Sequence, residues 1–255
     1  VPLNLLPQGS TADYILTGSW AEKAHQEASK FGKTHIAAST KDGNYSRIPD
    51  IDEIQLSESP AYVHICSNNT IFGTQWQSFP DFGAVPLIAD MSSDILSRRF
   101  EAAKFALIYA GAQKNLGPAG VTIVIIRKDF LENISSDIPT MLRYDIHAKN
   151  DSLYNTPPAF AVYMVNLVLR WIKQNGGLEA MERHNAEKAS YLYDAIDNSG
   201  GFYRGHADKA SRSLMNITFR LPSEELEKSF AAEATRQGFI GLKGHRSVGG
   251  IRASV

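Results

Sequence analysis

The chain has 255 residues, of which 43% are hydrophobic and 21% are charged, and its formal net charge is -1. A chain of this length buries a sizeable core. Its near-neutral charge does not suggest the basic surface that a nucleic-acid or anionic-membrane partner requires, so we expect small-molecule ligands. No apolar run approaches the roughly 20 residues that span a bilayer. The single cysteine, Cys66, excludes an internal disulfide and predicts a cytoplasmic protein.

The first half of the chain alternates between helical and strand-like patterns. An apolar stripe at helical spacing over residues 20–31 predicts a helix, and a short apolar segment follows at 34–39. Compact runs rich in valine, isoleucine and alanine then predict buried strands at 61–66, 84–90, 105–111 and 120–127. This alternation is typical of an α/β fold with a mostly parallel sheet flanked by helices, in which ligands bind at the carboxyl ends of the strands.

After residue 128 the pattern changes to longer helices with fewer strands. The sequence predicts an apolar helix at 160–174, an amphipathic helix from 178 to about 198, a strand at 213–221 and a helix that opens at Ser223. We therefore predict a large domain over 1–157, a connecting helix over 158–178 and a smaller C-terminal α+β domain over 179–255.

Polar segments directly follow three of the predicted strands. These segments are SNNT at 67–70, DMSSD at 90–94 and GAQK at 111–114. Because the carboxyl ends of parallel strands meet at one edge of the sheet, we expect a hydroxyl, a carboxylate and an amine to converge there. The amine belongs to Lys114, although a lysine in a glycine-rich turn is often no more than a solvated side chain.

Two chemical roles for this edge fit the sequence poorly. A phosphate-binding loop places its lysine after the glycine spacing and follows it with serine or threonine, whereas Lys114 precedes Asn115 and Gly117. Phosphoryl transfer at Asp90 could use Asp94, four residues later, as the acid or base. Two carboxylates at this spacing are a common pattern, so the support is weak. Both roles stay open on the sequence alone.

A Schiff base with pyridoxal phosphate uses more of these residues. That cofactor needs an amine, a carboxylate against its pyridine nitrogen and an aromatic ring against its face. Lys114, Asp90 and Trp20 have the required chemistry, and the Thr70 hydroxyl is available to bond the ring oxygen. Asp90 lies 24 positions before Lys114, a spacing that suits the ends of neighbouring strands.

Three ordered blocks of sequence carry a resemblance to a known family. In the segments 90–120, 154–164 and 241–254, and along essentially its whole length, the chain closely resembles the phosphoserine aminotransferases, which are class V pyridoxal-phosphate enzymes of fold type I. The resemblance implies transamination of 3-phosphohydroxypyruvate with L-glutamate, giving O-phospho-L-serine and 2-oxoglutarate in serine biosynthesis. It also implies a homodimer and pyridoxal phosphate as the cofactor. No spacing of histidine, cysteine and aspartate in the sequence predicts a metal site.

The resemblance further implies a cofactor role for several residues of this chain. Lys114 would carry the Schiff base, and Asp90 would pair with the pyridine nitrogen. Trp20 would stack on the ring, Thr70 would bond the phenolic oxygen, and Gln113 would contact the cofactor phosphate.

Other residues are implied in substrate binding and in the dimer. Asn155 and Thr156 would reach the cofactor phosphate of the partner subunit. His245, Arg246 and Arg252 would bind the substrate anions, which agrees with the preference of guanidinium groups for carboxylate and phosphate. These three residues lie in a glycine-rich segment that we predict to be flexible.

The family pattern continues beyond both ends of this sequence, upstream into a small-residue loop at the cofactor phosphate and downstream into a last helix. The resemblance therefore implies a chain truncated at both ends. Two alternatives follow: another class V aminotransferase, or a truncated and catalytically incompetent core. Cys66 could suggest a cysteine desulfurase, but it directly follows a strand and is expected to pack in the core. His35 and His64 alternate with apolar residues and are expected to bond locally rather than to bind metal.

Overall fold

The computed structural model describes residues 1–246 and 248–255 and has two main sheets of unequal size. The strands are β1 (Thr11–Leu16), β2 (Lys33–Ser39), β3 (Pro60–Cys66), β4 (Asn68–Asn69), β5 (Thr74–Gln75), β6 (Leu87–Asp90), β7 (Phe105–Gly111), β8 (Thr122–Ile126), β9 (Arg204–Gly205), β10 (Asn216–Arg220) and β11 (Ile251–Ser254). The α-helices are α1 (Pro2–Leu5), α2 (Ser19–Ala28), α3 (Tyr144–Lys149), α4 (Ala159–Gln174), α5 (Gly177–Asp197) and α6 (Glu224–Arg236).

The larger sheet has six strands in the order β2-β1-β3-β6-β7-β8. All neighbouring strands in it are parallel except β7 and β8, which are antiparallel. Both faces are covered by apolar layers, one containing Ile65 and Ile108 and the other containing Ile88 and Leu107. Burial on both faces explains why these strands are nearly continuous apolar runs, and the predicted mostly parallel α/β sheet is confirmed.

Two strands of this sheet differ from the sequence prediction. Strand β1 lies between β2 and β3 but was not predicted, because its sequence TADYIL includes an aspartate. Asp13 is fully buried and accepts hydrogen bonds from the backbone N–H and the hydroxyl of Ser57, both at 2.7 Å, so its burial is compensated. The strand predicted at 120–127 is present as β8, but the prediction that it is buried is wrong, since β8 is the sheet edge and Ile125 is 48% exposed.

The smaller sheet is antiparallel, in the order β11-β10-β9. It shares an apolar core with α5 and α6, built around Tyr193, Ile217 and Phe219. The predicted start of α6 is confirmed, because Ser223 caps the helix and accepts a hydrogen bond from the backbone N–H of Leu226 at 3.3 Å. The domain boundaries at 157 and 178 stay a prediction.

Buried polar contacts join the smaller sheet to the strand ends of the larger one. Asn68 in β4 donates to the Asn216 side-chain oxygen at 2.9 Å and accepts from the Ser213 hydroxyl. Thr218 in β10 donates to the backbone carbonyl of Phe72 at 2.8 Å. These contacts fix β10 against the carboxyl edge of the larger sheet. Within the described residues, no helix is both long and apolar enough to cross a membrane.

Candidate active site

A cavity of about 420 Å³ opens where the carboxyl edge of the larger sheet meets the smaller sheet. Five of the residues singled out from the sequence line it, namely Trp20, Thr70, Lys114, His245 and Arg252. These residues come from opposite ends of the chain, so the cavity exists only in the folded protein.

The ends of β6 and β7 bring Asp90 and Lys114 to the same part of the sheet edge. Asp90 is the last residue of β6 and pairs with Tyr109 of β7. The Ser92 backbone N–H donates to Asp90 Oδ1 at 2.9 Å, and the Ser92 hydroxyl accepts from the Gly111 N–H at 3.0 Å. The turn after β6 is therefore tied to the end of β7, from which the chain leads directly to Lys114. Asp90 is half-buried and does not itself line the cavity.

Trp20 supplies an aromatic wall that is close to both the lysine and the threonine. It lies in the first turn of α2 and is 40% exposed. Its indole Nε1–H donates to the Thr70 hydroxyl at 3.4 Å, and Lys114 Nζ lies 5.1 Å from the indole centroid. Lys23 Nζ lies 4.6 Å from the same centroid. The accessible ring offers a surface for a planar ligand next to a primary amine.

Arg252 gives the cavity a positive group with unused hydrogen-bonding capacity. One of its terminal nitrogens donates to the Thr70 backbone carbonyl at 3.4 Å. Its Nε is buried and has no hydrogen-bond partner within the described residues. A buried guanidinium N–H without a partner is costly, so an anionic ligand at this position would satisfy it. The prediction of a flexible segment is wrong at Arg252, which lies in strand β11.

An ion pair between a buried glutamate and a partly exposed arginine, which the sequence did not reveal, holds the segment containing His245. Glu227 accepts hydrogen bonds from Arg220 Nε at 2.5 Å and from the Gly250 N–H at 3.2 Å. Arg220 also donates to the Val248 carbonyl at 2.9 Å. In the sequence Glu227 is one of three acids in the first turn of a helix, which helix dipoles favour in general, so nothing marked it as a loop anchor.

Besides Asp90, four of the residues predicted to act at the site lie outside the cavity lining. They are all exposed: Gln113, Asn155, Thr156 and Arg246. The Gln113 side chain folds back over Gly111, where an added Cβ would lie 2.7 Å from its Oε1. Asn155 donates to the backbone carbonyl of Thr156 at 3.3 Å. Their roles stay predictions.

The structure argues against phosphoryl transfer with Asp94 as the acid or base. Asp94 is buried and accepts hydrogen bonds from the Ser67 hydroxyl and from the Gln75 amide, the latter at 3.0 Å. Burial raises the pKa of its carboxyl group. Both oxygens are therefore engaged in the protein interior, and Asp94 has a structural role.

The glycines after Lys114 shape the turn and its packing. Gly117 and Gly120 have φ values of +158° and +107°, the left-handed side of the backbone map that favours glycine. A Cβ on Gly117 would lie 3.1 Å from Cγ2 of Val165 in α4. The glycine therefore lets the turn approach α4 closely, and this packing fixes the segment that carries Lys114.

The remaining candidates have local roles. Cys66 is 4% exposed, and burial raises the pKa of its thiol, so its prediction as a core residue is confirmed. His35 bonds the Gln55 carbonyl at 2.9 Å, and His64 bonds the Tyr109 hydroxyl at 3.0 Å. No group of three or more histidine, cysteine, aspartate or glutamate side chains among the described residues could hold a metal ion.

The donor set fits pyridoxal phosphate. Lys114 offers a primary amine, Asp90 a carboxylate for a protonated pyridine nitrogen, and Trp20 an exposed ring face. The Thr70 hydroxyl and the unsatisfied Nε of Arg252 complete a site suited to a planar, anionic ligand that carries an aldehyde.

Comparisons with known proteins give one family. The sequence profile described as aminotransferase class-V matches residues 1–254. The phosphoserine aminotransferase of Herpetosiphon aurantiacus is 63% identical over 255 residues, which are 100% of this chain and 71% of that protein. The phosphoserine aminotransferase of Geobacillus kaustophilus is 62% identical with the same coverage.

Solved structures are similar along the same length. The phosphoserine aminotransferase of Bacillus circulans subsp. alkalophilus is 60% identical and has a TM-score of 0.98, with 100% of this chain and 70% of that chain covered. The PLP-bound phosphoserine aminotransferase of Trichomonas vaginalis is 39% identical and has a TM-score of 0.92, with 99% of this chain and 72% of that chain covered.

Proposed function

The chain belongs to the phosphoserine aminotransferase family of the class-V aminotransferases, and we propose that it transfers the amino group of L-glutamate to 3-phosphohydroxypyruvate, giving O-phospho-L-serine and 2-oxoglutarate in serine biosynthesis. The observation that carries this proposal is the convergence of Lys114, Trp20, Thr70, His245 and Arg252 on one cavity. The chemistry of these side chains covers both a cofactor and an anionic substrate.

The proposed cofactor is pyridoxal phosphate, which withdraws electrons from the substrate α-carbon when it is bound. Lys114 would hold it covalently through Nζ, and Asp90 would pair with its pyridine nitrogen. Trp20 would pack on the ring face, Thr70 would bond the phenolic oxygen, and Gln113 would contact the phosphate. The contact between Trp20 and Thr70 and the 5.1 Å approach of Lys114 to the indole support this arrangement.

Lys114 also moves the proton in the proposed reaction. Its amine would take a proton from the α-carbon of the amino-acid substrate and deliver it to carbon C4′ of the cofactor, as a general base and then a general acid. The turn after β7 holds the lysine, because Leu116 and Gly117 both donate backbone hydrogen bonds to the Ala112 carbonyl, at 3.0 and 2.9 Å. Asp90 would pair with the pyridine nitrogen, where a carboxylate would favour the protonated form of the ring.

The substrate anions are proposed to bind at His245, Arg246 and Arg252. Arg252 is the best supported of the three, because its buried Nε lacks a partner in the described part of the chain. A carboxylate there would form charge-assisted hydrogen bonds with the guanidinium group. The proposed contacts of Arg246 rest on the family pattern alone, since its side chain is exposed.

Substitution of Arg252 by glutamine is expected to raise the KM for the 2-oxo acid by about 10- to 100-fold, which is the loss of one or two charge-assisted hydrogen bonds. We expect a much smaller change in kcat, because the substitution leaves the proton-transfer group intact. The matched control is Arg204→Gln, since Arg204 is an exposed arginine of the same sheet that does not line the cavity. Steady-state kinetics of both variants measure the effect, and equal KM values would contradict the role of Arg252.

The test of the whole function is a coupled assay with the phosphorylated and the unphosphorylated 2-oxo acid. We expect 3-phosphohydroxypyruvate to be the better substrate. A preference for the unphosphorylated acid would favour the alternative, another class V aminotransferase. A protein that folds but gives no spectral change on titration with pyridoxal phosphate would favour the second alternative, a catalytically incompetent core.

We also propose that the enzyme is a cytoplasmic homodimer in which Asn155 and Thr156 reach the cofactor phosphate of the partner subunit. Support comes from exposed apolar side chains on both sides of this pair, including Tyr154 at 49% and Phe160 at 74% exposure. A second copy would cover this surface. Sedimentation over a range of concentrations measures the mass of the assembly, and a monomer at every concentration would contradict the dimer.

A further inference from the structure

Behind Asp90, a line of buried polar and aromatic side chains leads away from the cavity through the sheet layer. Asp90 and Tyr109 face the same side of the sheet as paired residues of β6 and β7. On that side His64 of β3 is 2% exposed and its ring stacks on Tyr14 of β1, with centroids 4.9 Å apart. Burying a polar ring in an apolar layer is costly unless the ring is hydrogen-bonded, so we expect His64 to have a hydrogen-bond partner.

Tyr109 connects this histidine to the carboxylate. Its hydroxyl lies 3.0 Å from His64 Nε2, and Asp90, the residue paired with Tyr109 on β6, is close enough to raise the pKa of the same phenol. Burial and the nearby Asp90 charge raise the pKa of the Tyr109 phenol well above its usual value, so the hydroxyl keeps its proton. Because a carboxylate can only accept, the Tyr109 hydroxyl is the donor in a hydrogen bond between these two side chains.

The direction of the second hydrogen bond follows from the first. Burial lowers the pKa of His64 to about 4, so the ring is neutral near pH 7 and carries one N–H. A proton on Nε2 lets His64 donate to the Tyr109 oxygen while Tyr109 donates to Asp90. A proton on Nδ1 would instead leave a buried donor unsatisfied, because Nδ1 has no partner within the described residues. The first arrangement makes two hydrogen bonds and the second makes one.

We propose that Tyr109 and His64 are positioning residues for Asp90: a hydrogen-bond chain runs from His64 Nε2–H through the Tyr109 hydroxyl to the Asp90 carboxylate and orients it toward the pyridine nitrogen of bound pyridoxal phosphate. This inference rests on the proposed function, which puts that nitrogen at Asp90. The Ser92 N–H, 2.9 Å from Asp90 Oδ1, is a second donor to the same carboxylate. Asp90 is thus fixed from two sides before any ligand binds, which lowers the cost of orienting it.

The hydroxyl of Tyr109 can be removed alone by Tyr109→Phe. We expect kcat of the loaded enzyme to fall by about 10-fold, the scale of one hydrogen bond to a charged group, while KM for both substrates stays within about 2-fold because no substrate-binding group changes. The direct readout is the nitrogen NMR shift of isotope-labelled cofactor, which we expect to move toward the unprotonated pyridine. An unchanged shift together with an unchanged kcat would overturn the proposal.

The matched control is Tyr62→Phe. Tyr62 is fully buried in the same layer, and its hydroxyl bonds the Tyr14 hydroxyl at 2.9 Å, so this variant also loses one buried phenol hydroxyl without touching Asp90. We expect the nitrogen NMR shift to stay at the wild-type value in Tyr62→Phe. If both variants move it equally, the effect belongs to packing of the layer and the proposal fails.

Substitutions of His64 keep the test independent of whether Tyr109→Phe folds. His64→Gln retains an N–H donor at the same number of bonds from the backbone, whereas His64→Leu has none. We expect the glutamine variant to have a nitrogen NMR shift and kcat closer to wild type than the leucine variant. The reverse order, or equal values, would contradict donation from Nε2.

A double-mutant cycle separates this inference from the proposed function. In an Asp90→Asn background, Tyr109→Phe should have little further effect on the nitrogen NMR shift, because both changes act through one carboxylate. Additive effects would overturn the chain. Failure of the unaltered protein to bind pyridoxal phosphate would instead overturn the proposed function. If the cofactor binds but its nitrogen NMR shift is the same in the wild type and in the Tyr109 and His64 variants, only this inference is overturned.

Discussion

Replacement of Lys114 by alanine is expected to lower kcat by at least about 10³-fold and to remove the visible absorbance that the lysine–cofactor bond produces. General acid–base catalysis alone contributes roughly 10²- to 10⁴-fold, and the variant also loses the covalent attachment. The Lys114 side chain is exposed, so its removal leaves no core cavity and the fold should be unaffected. Absorbance spectra after cofactor titration and single-turnover rates measure the two effects.

The chain offers a matched control in Lys23. Its Nζ lies 4.6 Å from the Trp20 ring centroid, slightly closer than that of Lys114 at 5.1 Å, yet it does not line the cavity. Lys23→Ala therefore removes a second cation from the same indole and should leave both the absorbance and the turnover close to wild type. Turnover by Lys114→Ala at a wild-type rate would disprove the assignment, and equal losses in both variants would point to a general electrostatic effect.

The convergence of Asp90 and Lys114 could be predicted from the sequence because it depends on a local rule. Asp90 ends one strand and Lys114 comes just after the next, both strands have an unmistakable apolar run, and the carboxyl ends of neighbouring parallel strands must meet. The spacing of 24 residues between Asp90 and Lys114 fits one connecting segment plus one strand, which indicates that the two strands are neighbours. Neither inference needed any knowledge of contacts between distant segments.

The far wall of the cavity could not be predicted in the same way. Arg252 donates to the Thr70 carbonyl across 182 positions of sequence, and β11 forms only because it pairs with β10. The four residues of β11 follow Gly249 and Gly250, so the segment reads locally as a loop, and tertiary pairing decides its conformation. The anchor formed by Arg220 and Glu227 is hidden for the same reason.

The chain of hydrogen bonds behind Asp90 is a further case in which the sequence gives a partial answer. The alternation of His64 with apolar residues in β3 predicts a local hydrogen bond rather than a metal site, and the Tyr109 contact at 3.0 Å agrees. The identity of the partner depends on the order of strands, since β6 lies between β3 and β7. Sequence patterns give the face that a residue occupies, but not which strands are neighbours.

Asp90→Asn is expected to lower kcat by about 10²- to 10³-fold, the cost of removing one preorganised electrostatic partner from an active site. The asparagine side chain has nearly the same shape and can still accept the Ser92 N–H at Oδ1, so the turn after β6 should be preserved. What is lost is the negative charge that keeps the pyridine nitrogen protonated. Cofactor titration and steady-state kinetics separate weaker binding from slower turnover.

The control for Asp90→Asn is Asp94→Asn, in the same DMSSD segment. Asp94 is buried and faces Ser67 and Gln75 instead of the cavity, so its substitution should lower the melting temperature and leave kcat of the folded enzyme within about 3-fold, because no group at the reacting atoms changes. This comparison also decides between the two chemistries that the segment allows. Phosphoryl transfer would need Asp94 as an acid or base, and a loss of turnover in Asp94→Asn as large as that in Asp90→Asn would contradict the pairing of Asp90 alone with the pyridine nitrogen.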